Sequence, residues 1–192
     1  MKASVKLYVA ADSKWKVVSS GKLLQVHSEE KVSLINSIFN FQNIHEVYSV
    51  FEFEETAILP IYSFVVCAGN YEERNYNEAD EIDVRIYKRP EIQFVEDDRL
   101  IVSTVRNALK WIKDNLTTIN PFPKIELAFV PGLTIKAMEN VGCITFDEKY
   151  IHQLNSPMHK TYFHYLIIHE MYILIIQNSY LVWKLCYSSM VG

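Results

Sequence analysis

As far as Arg89, apolar and polar residues alternate in short runs. Val5, Leu7 and Val9 interleave with Ser4, Lys6 and Tyr8; Phe51 and Phe53 with Glu52 and Glu54; Ile82, Val84 and Ile86 with Asp83 and Arg85. A period of two sets one face on a core and the other on solvent, as antiparallel strands do. Ser20-Gly21 and Gly69-Asn70 supply turn residues between such strands. The stretch is predicted to be mostly β.

After Arg89-Pro90 the spacing changes. Ile101, Val105, Ala108, Ile112 and Leu116 advance in steps of three and four, with Arg106, Lys110 and Lys113 elsewhere on the wheel. That pattern predicts a helix, with Asp97 or Asp98 to cap its start and complement its dipole. Asn120-Pro121-Phe122-Pro123 ends it, and Ile125 to Val130 reads as a short strand. A second extended stretch runs from Thr134 to Phe146, after Pro131-Gly132. The apolar run from Tyr162 to Trp183 is predicted to be helical at least in its first half. The expected fold class is therefore α+β, with a boundary near residue 90. Residues 1–90 form a sandwich-like antiparallel β part, and residues 91–192 a mixed part. There is no internal repeat and no low-complexity segment.

Composition narrows the function classes. A chain of 192 residues with 49% hydrophobic and 13% aromatic content can bury the core of one domain or two small ones. The net charge of −4, with no basic stripe, argues against nucleic acid as a partner. Cys67, Cys143 and Cys186 are widely spaced and form no CxxC pair, which suits buried thiols in a reduced, cytoplasmic setting. Lys6 and Asp12 interrupt any apolar leader in Met1 to Ser13. Leu166 to Val182 approaches the length of a membrane helix, but His169, Glu170, Gln177 and Asn178 make spanning costly, so a core helix is expected.

Two short runs carry chemistry: Ala137-Met138-Glu139-Asn140 and His169-Glu170. Taken alone, each has a plainer reading. A His-Glu pair on an apolar helix is more often a hydrogen-bonded core pair, and a Met-Glu-Asn run is most often a loop or an edge strand. Upstream stand Pro121-Phe122-Pro123-Lys124 and Val130-Pro131-Gly132. In this order the whole set resembles the zinc aminopeptidase family that includes aminopeptidase N and the leukotriene hydrolases. That family carries a PFPK-like run, a GAMEN exopeptidase motif and a downstream HExxH. Phe53 to Gly69 and Ile82 to Arg89 are similar to family segments as well. The resemblance implies that residues 1–90 are the C-terminal part of the family's β-rich domain. Residues 91–192 would then be the first, incomplete portion of a thermolysin-like α+β catalytic domain, making the chain a truncated relative.

The resemblance also assigns roles. His169 matches the first zinc ligand and Glu170 the general base that acts on a zinc-bound water. Glu139, with Ala137 and Met138 beside it, matches the segment that holds the free α-amine of a peptide, a task suited to a carboxylate. Three positions depart from the pattern. Ile173 stands where the second histidine belongs, Gly192 where the third ligand's carboxylate belongs, and Lys136 replaces the motif's glycine. His164 and His169 lie about 140° apart on a helix and cannot face one ion. His152 and His159 could approach only through an irregular loop. Zinc, the family's cofactor, is therefore not expected to be held stably, because a catalytic site usually takes three protein ligands. Lys136 can be read either as a partner of Glu139 that competes with a substrate amine, or as an exposed lysine on a strand edge.

Three functions remain in competition. The first is a degenerate or truncated metallo-aminopeptidase without catalysis of its own. The second is a non-catalytic module that keeps Glu139 as a site for peptides with a free N-terminus. The third is a membrane-associated fragment using the apolar tail. Since the family's catalytic helices pack on a further helical domain, Leu166, Ile167, Leu174, Ile175, Ile176, Leu181 and Val182 are expected to lie partly on the surface and to promote self-association.

Overall fold

The alternating segments of the first part form short antiparallel ladders. The computed structural model describes residues 1–27, 48–77, 82–93, 98–116, 124–152 and 156–190. Its strands are β1 (Lys2–Ala3), β2 (Tyr8–Asp12), β3 (Lys16–Ser19), β4 (Leu23–His27), β5 (Tyr48–Phe53), β6 (Leu59–Pro60), β7 (Val66–Gly69), β8 (Glu72–Tyr76) and β9 (Val84–Lys88). Helix α1 (Asp98–Leu116) follows, then β10 (Ile125–Val130), β11 (Ala137–Met138), β12 (Cys143–Asp147), the short α2 (Lys149–His152) and the long α3 (Pro157–Met190). The molecule is a mixed α+β fold with several sheets, as the patterning implied.

Strands β2, β5 and β4 form an antiparallel sheet in which Phe51 pairs with Val9 on one side and Val26 on the other. Phe51 and Phe53 are buried while Glu54 is exposed, so the period-two reading holds there. Strand β3 pairs antiparallel with β7, placing Val18 opposite Cys67.

The largest sheet has the order β11-β12-β10-β9-β8. Its centre is parallel: Leu127 of β10 stands beside Ile86 of β9 and Ile144 of β12. Parallel strands need a crossover, and α1 supplies it between β9 and β10. Both faces of such a strand are covered, which explains the uninterrupted burial of Ile125 to Phe129. The change of pattern near residue 90 thus falls within one sheet, since β8 and β9 precede it and the other three strands follow.

Helix α1 buries the face its spacing announced: Ile101, Val105, Ala108 and Ile112. Asp98 receives Arg74 and the Tyr76 hydroxyl, the latter at 2.9 Å, tying the start of α1 to β8. Asp97 and the Pro121-Phe122-Pro123 run lie outside the described residues.

Helix α3 corrects an expectation. Leu166, Ile167, Leu174 and Ile175 are buried in the main core with Phe163 and Met171, not partly exposed. Phe163 packs with Phe129 and Phe146, ring centroids 6.0 and 5.7 Å away, so the sheet itself covers this face of the helix. The opposite face, with Met158, Tyr162, Tyr165, Ile168 and Tyr172, is the exposed one. The side chains of Ile176, Leu181 and Val182 lie outside the described residues. Among the described residues no helix is long and apolar enough to cross a membrane.

Candidate functional site

Helix α3 passes the outer edge of the large sheet at β11. Ala137 and Met138 form β11, which pairs antiparallel with β12 through Ala137–Phe146 and Met138–Thr145. Glu139 and Asn140 follow as the turn into β12. This turn is fixed from several sides. The Asn140 N–H donates to the Met138 carbonyl at 2.9 Å, and the Thr145 hydroxyl donates to Asn140 Oδ1 at 3.0 Å. The Val141 N–H donates to the Ser63 carbonyl at 2.9 Å, reaching back to the first part of the chain.

Gly142 explains why the turn sits so close to that part. Its φ is +75°, and a Cβ there would stand 2.5 Å from the Ser20 carbonyl oxygen. Only glycine tolerates both the backbone conformation and the approach. Beneath it, the buried Lys124 ammonium donates to the Ser19 carbonyl at 2.8 Å and to Glu126 at 2.6 Å. The Ser19-Ser20 segment is therefore a floor for the Glu139 turn.

Helix α3 brings the second half of the site. Successive residues on a helix differ by about 100°, so His169 and Glu170 take different faces. His169 is exposed, its ring centroid 6.0 Å from that of Tyr165. Glu170 falls on the core face, with only 6% of its surface exposed. Burial raises its carboxyl to about 7, and the negative charge of Glu139 pushes in the same direction. Among the described residues no hydrogen bond or ion pair holds Glu170 in its charged form. Burial, with a smaller push from the Glu139 charge, thus keeps Glu170 from ionising easily.

Lys136 turns elsewhere. It is exposed, and its ammonium donates to the Tyr162 hydroxyl at 2.6 Å. The reading as an exposed lysine at the strand edge fits, while the suggested bond to Glu139 gives way to Tyr162. Sequence reasoning missed Tyr162 because nothing local distinguishes it from the other aromatics of α3. His164 accepts or donates at 2.8 Å with Thr104 of α1 and so serves helix packing. His159 bonds Ser156 at 3.0 Å at the start of α3.

Among the described residues, the positions matched to the family's zinc ligands supply one imidazole, that of His169. Ile173, one turn beyond His169, has no donor atom and is half-buried. Among the described residues no three His, Cys, Asp or Glu side chains gather closely enough to hold a metal ion. Gly192, the position matched to the last family ligand, lies outside the described residues.

Comparison with known proteins gives the same class of relative. No protein-family model matches the chain. Its curated relatives, all distant, are aminopeptidases. Over 151 residues it is 24% identical to Aminopeptidase M1-B of Oryza sativa subsp. japonica, covering 77% of this chain and 17% of that protein. It is 29% identical over 150 residues to Leucyl aminopeptidase of Saccharolobus solfataricus, covering 77% and 16% respectively. With Aminopeptidase N of Bos taurus it shares 24% identity over 127 residues, covering 65% of this chain and 13% of that protein. The chain therefore spans a minor part of the length of the relatives it matches.

Proposed function

We propose that this chain is a piece of an aminopeptidase-like protein, with a β-rich part leading into the opening portion of a thermolysin-like catalytic domain. Its retained activity is to hold the free N-terminal ammonium of a peptide without cutting it. The observation that carries the reading is the burial of Glu170 under the electrostatic influence of Glu139, with no donor to it among the described residues. A buried carboxylate in that condition is stabilised by a cation, and a primary ammonium supplies both charge and three hydrogens to share between two carboxylates. The names of the relatives, all aminopeptidases, fit a peptide N-terminus as the source of that ammonium.

Ile173 supports leaving hydrolysis out of this reading. Glu170 matches the general base, but a base needs an activated water, and Ile173 removes the donor that would join His169 in holding a metal. A single imidazole is far from the three protein ligands usual in a catalytic zinc site.

Calorimetric titration tests both parts. A short peptide with a free N-terminus binds saturably, its N-acetylated counterpart does not, and Glu139→Gln weakens binding about tenfold, a loss of about 1.4 kcal/mol. Equal binding of the acetylated peptide would overturn amine recognition. Release of amino acids from an N-terminal amide substrate, with or without added zinc, and its loss in Glu170→Gln, would overturn the absence of catalysis.

A further inference from the structure

A second cluster of charges lies at the other end of the large sheet from β11, where β9 ends and α1 begins. Glu72 and Arg74 stand two positions apart on one face of β8, and Glu72 pairs directly with Lys88 of β9. Asp98 reaches the same place from the first turn of α1. With Pro90 and Gln93, these four side chains line a cleft of about 370 Å³, a volume within the range of small-ligand sites. Open α/β sheets bind ligands at such a position, the carboxyl end of a parallel strand beside the start of the helix that follows it.

The charges alternate in sign. The Lys88 ammonium donates to Glu72 at 2.5 Å, Arg74 Nε donates to Glu72 at 3.0 Å, and Arg74 also donates to Asp98. The two ends of this series are buried, Lys88 being 2% exposed and Asp98 4%. Its two middle members, Glu72 and Arg74, each keep 40% of their side-chain surface in solvent. A charge buried in this way must be paired. Here each buried charge is paired by a side chain that already reaches water and can turn fully into it. The Lys88 and Arg74 cations hold the Glu72 carboxyl below its ordinary value, so it meets them as a carboxylate at neutral pH.

We propose that this cleft binds a dipeptide, whose carboxylate takes the place of Glu72 on Lys88 and whose ammonium takes the place of Arg74 on Asp98. A simple anion would meet Glu72 and Asp98, and a simple cation would meet Lys88 and Arg74, so neither gains on balance. A molecule with both charges gains at both ends. Two side-chain groups in series now bridge Lys88 to Asp98, so the ligand's charges must also be set apart. An extended dipeptide spans about 7 Å, whereas a free amino acid carries both charges on one carbon. The Gln93 amide in the cleft wall can donate to a peptide bond and accept from it. The Tyr76 hydroxyl donates to Asp98 at 2.9 Å and steadies the carboxylate that receives the ammonium. None of these residues belongs to the Glu139 and Glu170 site, and the inference does not depend on that reading.

The test is calorimetric titration of the full chain carrying Glu139→Gln, so that the β11 carboxylate takes no part. The probes are alanyl-alanine, its N-acetyl form and its C-terminal amide. Alanyl-alanine should bind saturably, and each capped form at least about tenfold more weakly, since each lacks one charge-assisted contact. The amide separates the two sites, because it keeps the ammonium that Glu139 would read and lacks the carboxylate that Lys88 would read. Adding Asp98→Asn should weaken binding about tenfold. Adding Glu72→Gln should strengthen it about threefold, because the charge that competes for Lys88 is gone. A Glu72 that only props up the cleft would give the opposite sign. The inference is overturned if the amide binds as well as the free dipeptide, if Glu72→Gln weakens binding, or if the Glu139→Gln chain shows no saturable binding. Glu72 is half-exposed and glutamine keeps its shape, so that variant decides the matter even where Asp98→Asn fails to fold.

Discussion

Replacing Glu170 by glutamine should stabilise the protein in alkali and leave it unchanged in acid. The ordinary carboxyl value is 4.5, and in the folded chain it is about 7. At 1.36 kcal/mol per unit, ionised Glu170 costs the native state about 3 kcal/mol. The sign follows from linkage. Between the two values the native state holds more protons than the unfolded one, so stability falls as pH rises through that window. The favourable contribution is complete below 4.5 and lost once pH passes about 7. Glutamine keeps the shape and never ionises. Urea unfolding at about pH 8.5 should show Glu170→Gln more stable by roughly 2–3 kcal/mol, the lower figure allowing for an amide without partners. Near pH 4.5 the difference should close to within about 0.5 kcal/mol. Glu139→Gln, which removes the smaller cause, should lower the Glu170 value only partway toward 4.5. A gap independent of pH, or a wild type that gains stability in alkali, would refute the argument.

Other features give further expectations. Gly142→Ala should cost at least about 2 kcal/mol in thermal or chemical unfolding, since it combines a left-handed backbone with a Cβ against Ser20. Lys124→Met should cost about 3–5 kcal/mol, because it strands the buried Glu126 carboxylate and removes the donor to Ser19. Part of that loss should be recovered on acidification, as burial already raises Glu126 above its ordinary value. A chain shortened to end at Asn155 should lose cooperative unfolding, because it discards Phe163, Ile167, Met171 and Ile175 from the core. Sharp cooperative unfolding of that short chain would show that α3 is dispensable.

Local order was legible in the residues; meeting points were not. The buried face of α1 could be read from Ile101, Val105, Ala108 and Ile112, because one apolar stripe stands against charged neighbours. The bounds of β10 were equally clear from Ile125 to Val130. Helix α3 offered no such contrast. It is apolar nearly all round, so periodicity could not say that Leu166 and Ile167 turn inward while Tyr165 and Ile168 turn outward. The buried and exposed sets were separated only by Phe129 and Phe146, which arrive from distant strands. Family resemblance singled out Glu139 and Glu170, yet not that Glu170 lies buried with no donor among the described residues. Tyr162 as the partner of Lys136 is a further long-range fact, since it joins a loop to a helix.

The order of the large sheet has a consequence for the protein as it leaves the ribosome. Strand β9 emerges early, paired on one side with β8, yet its other edge and its buried residues Val84 and Ile86 belong beside β10. Between them comes the whole of α1, and β10 in turn waits for β12 on its far side. Chains are synthesised at roughly 5–20 residues per second, so this apolar edge stays open for seconds before its partners exist. An open strand edge of that kind is a template for pairing with another chain. Slowing translation between the β9 and β12 codons should therefore lower the yield of folded protein, although no amino acid has changed.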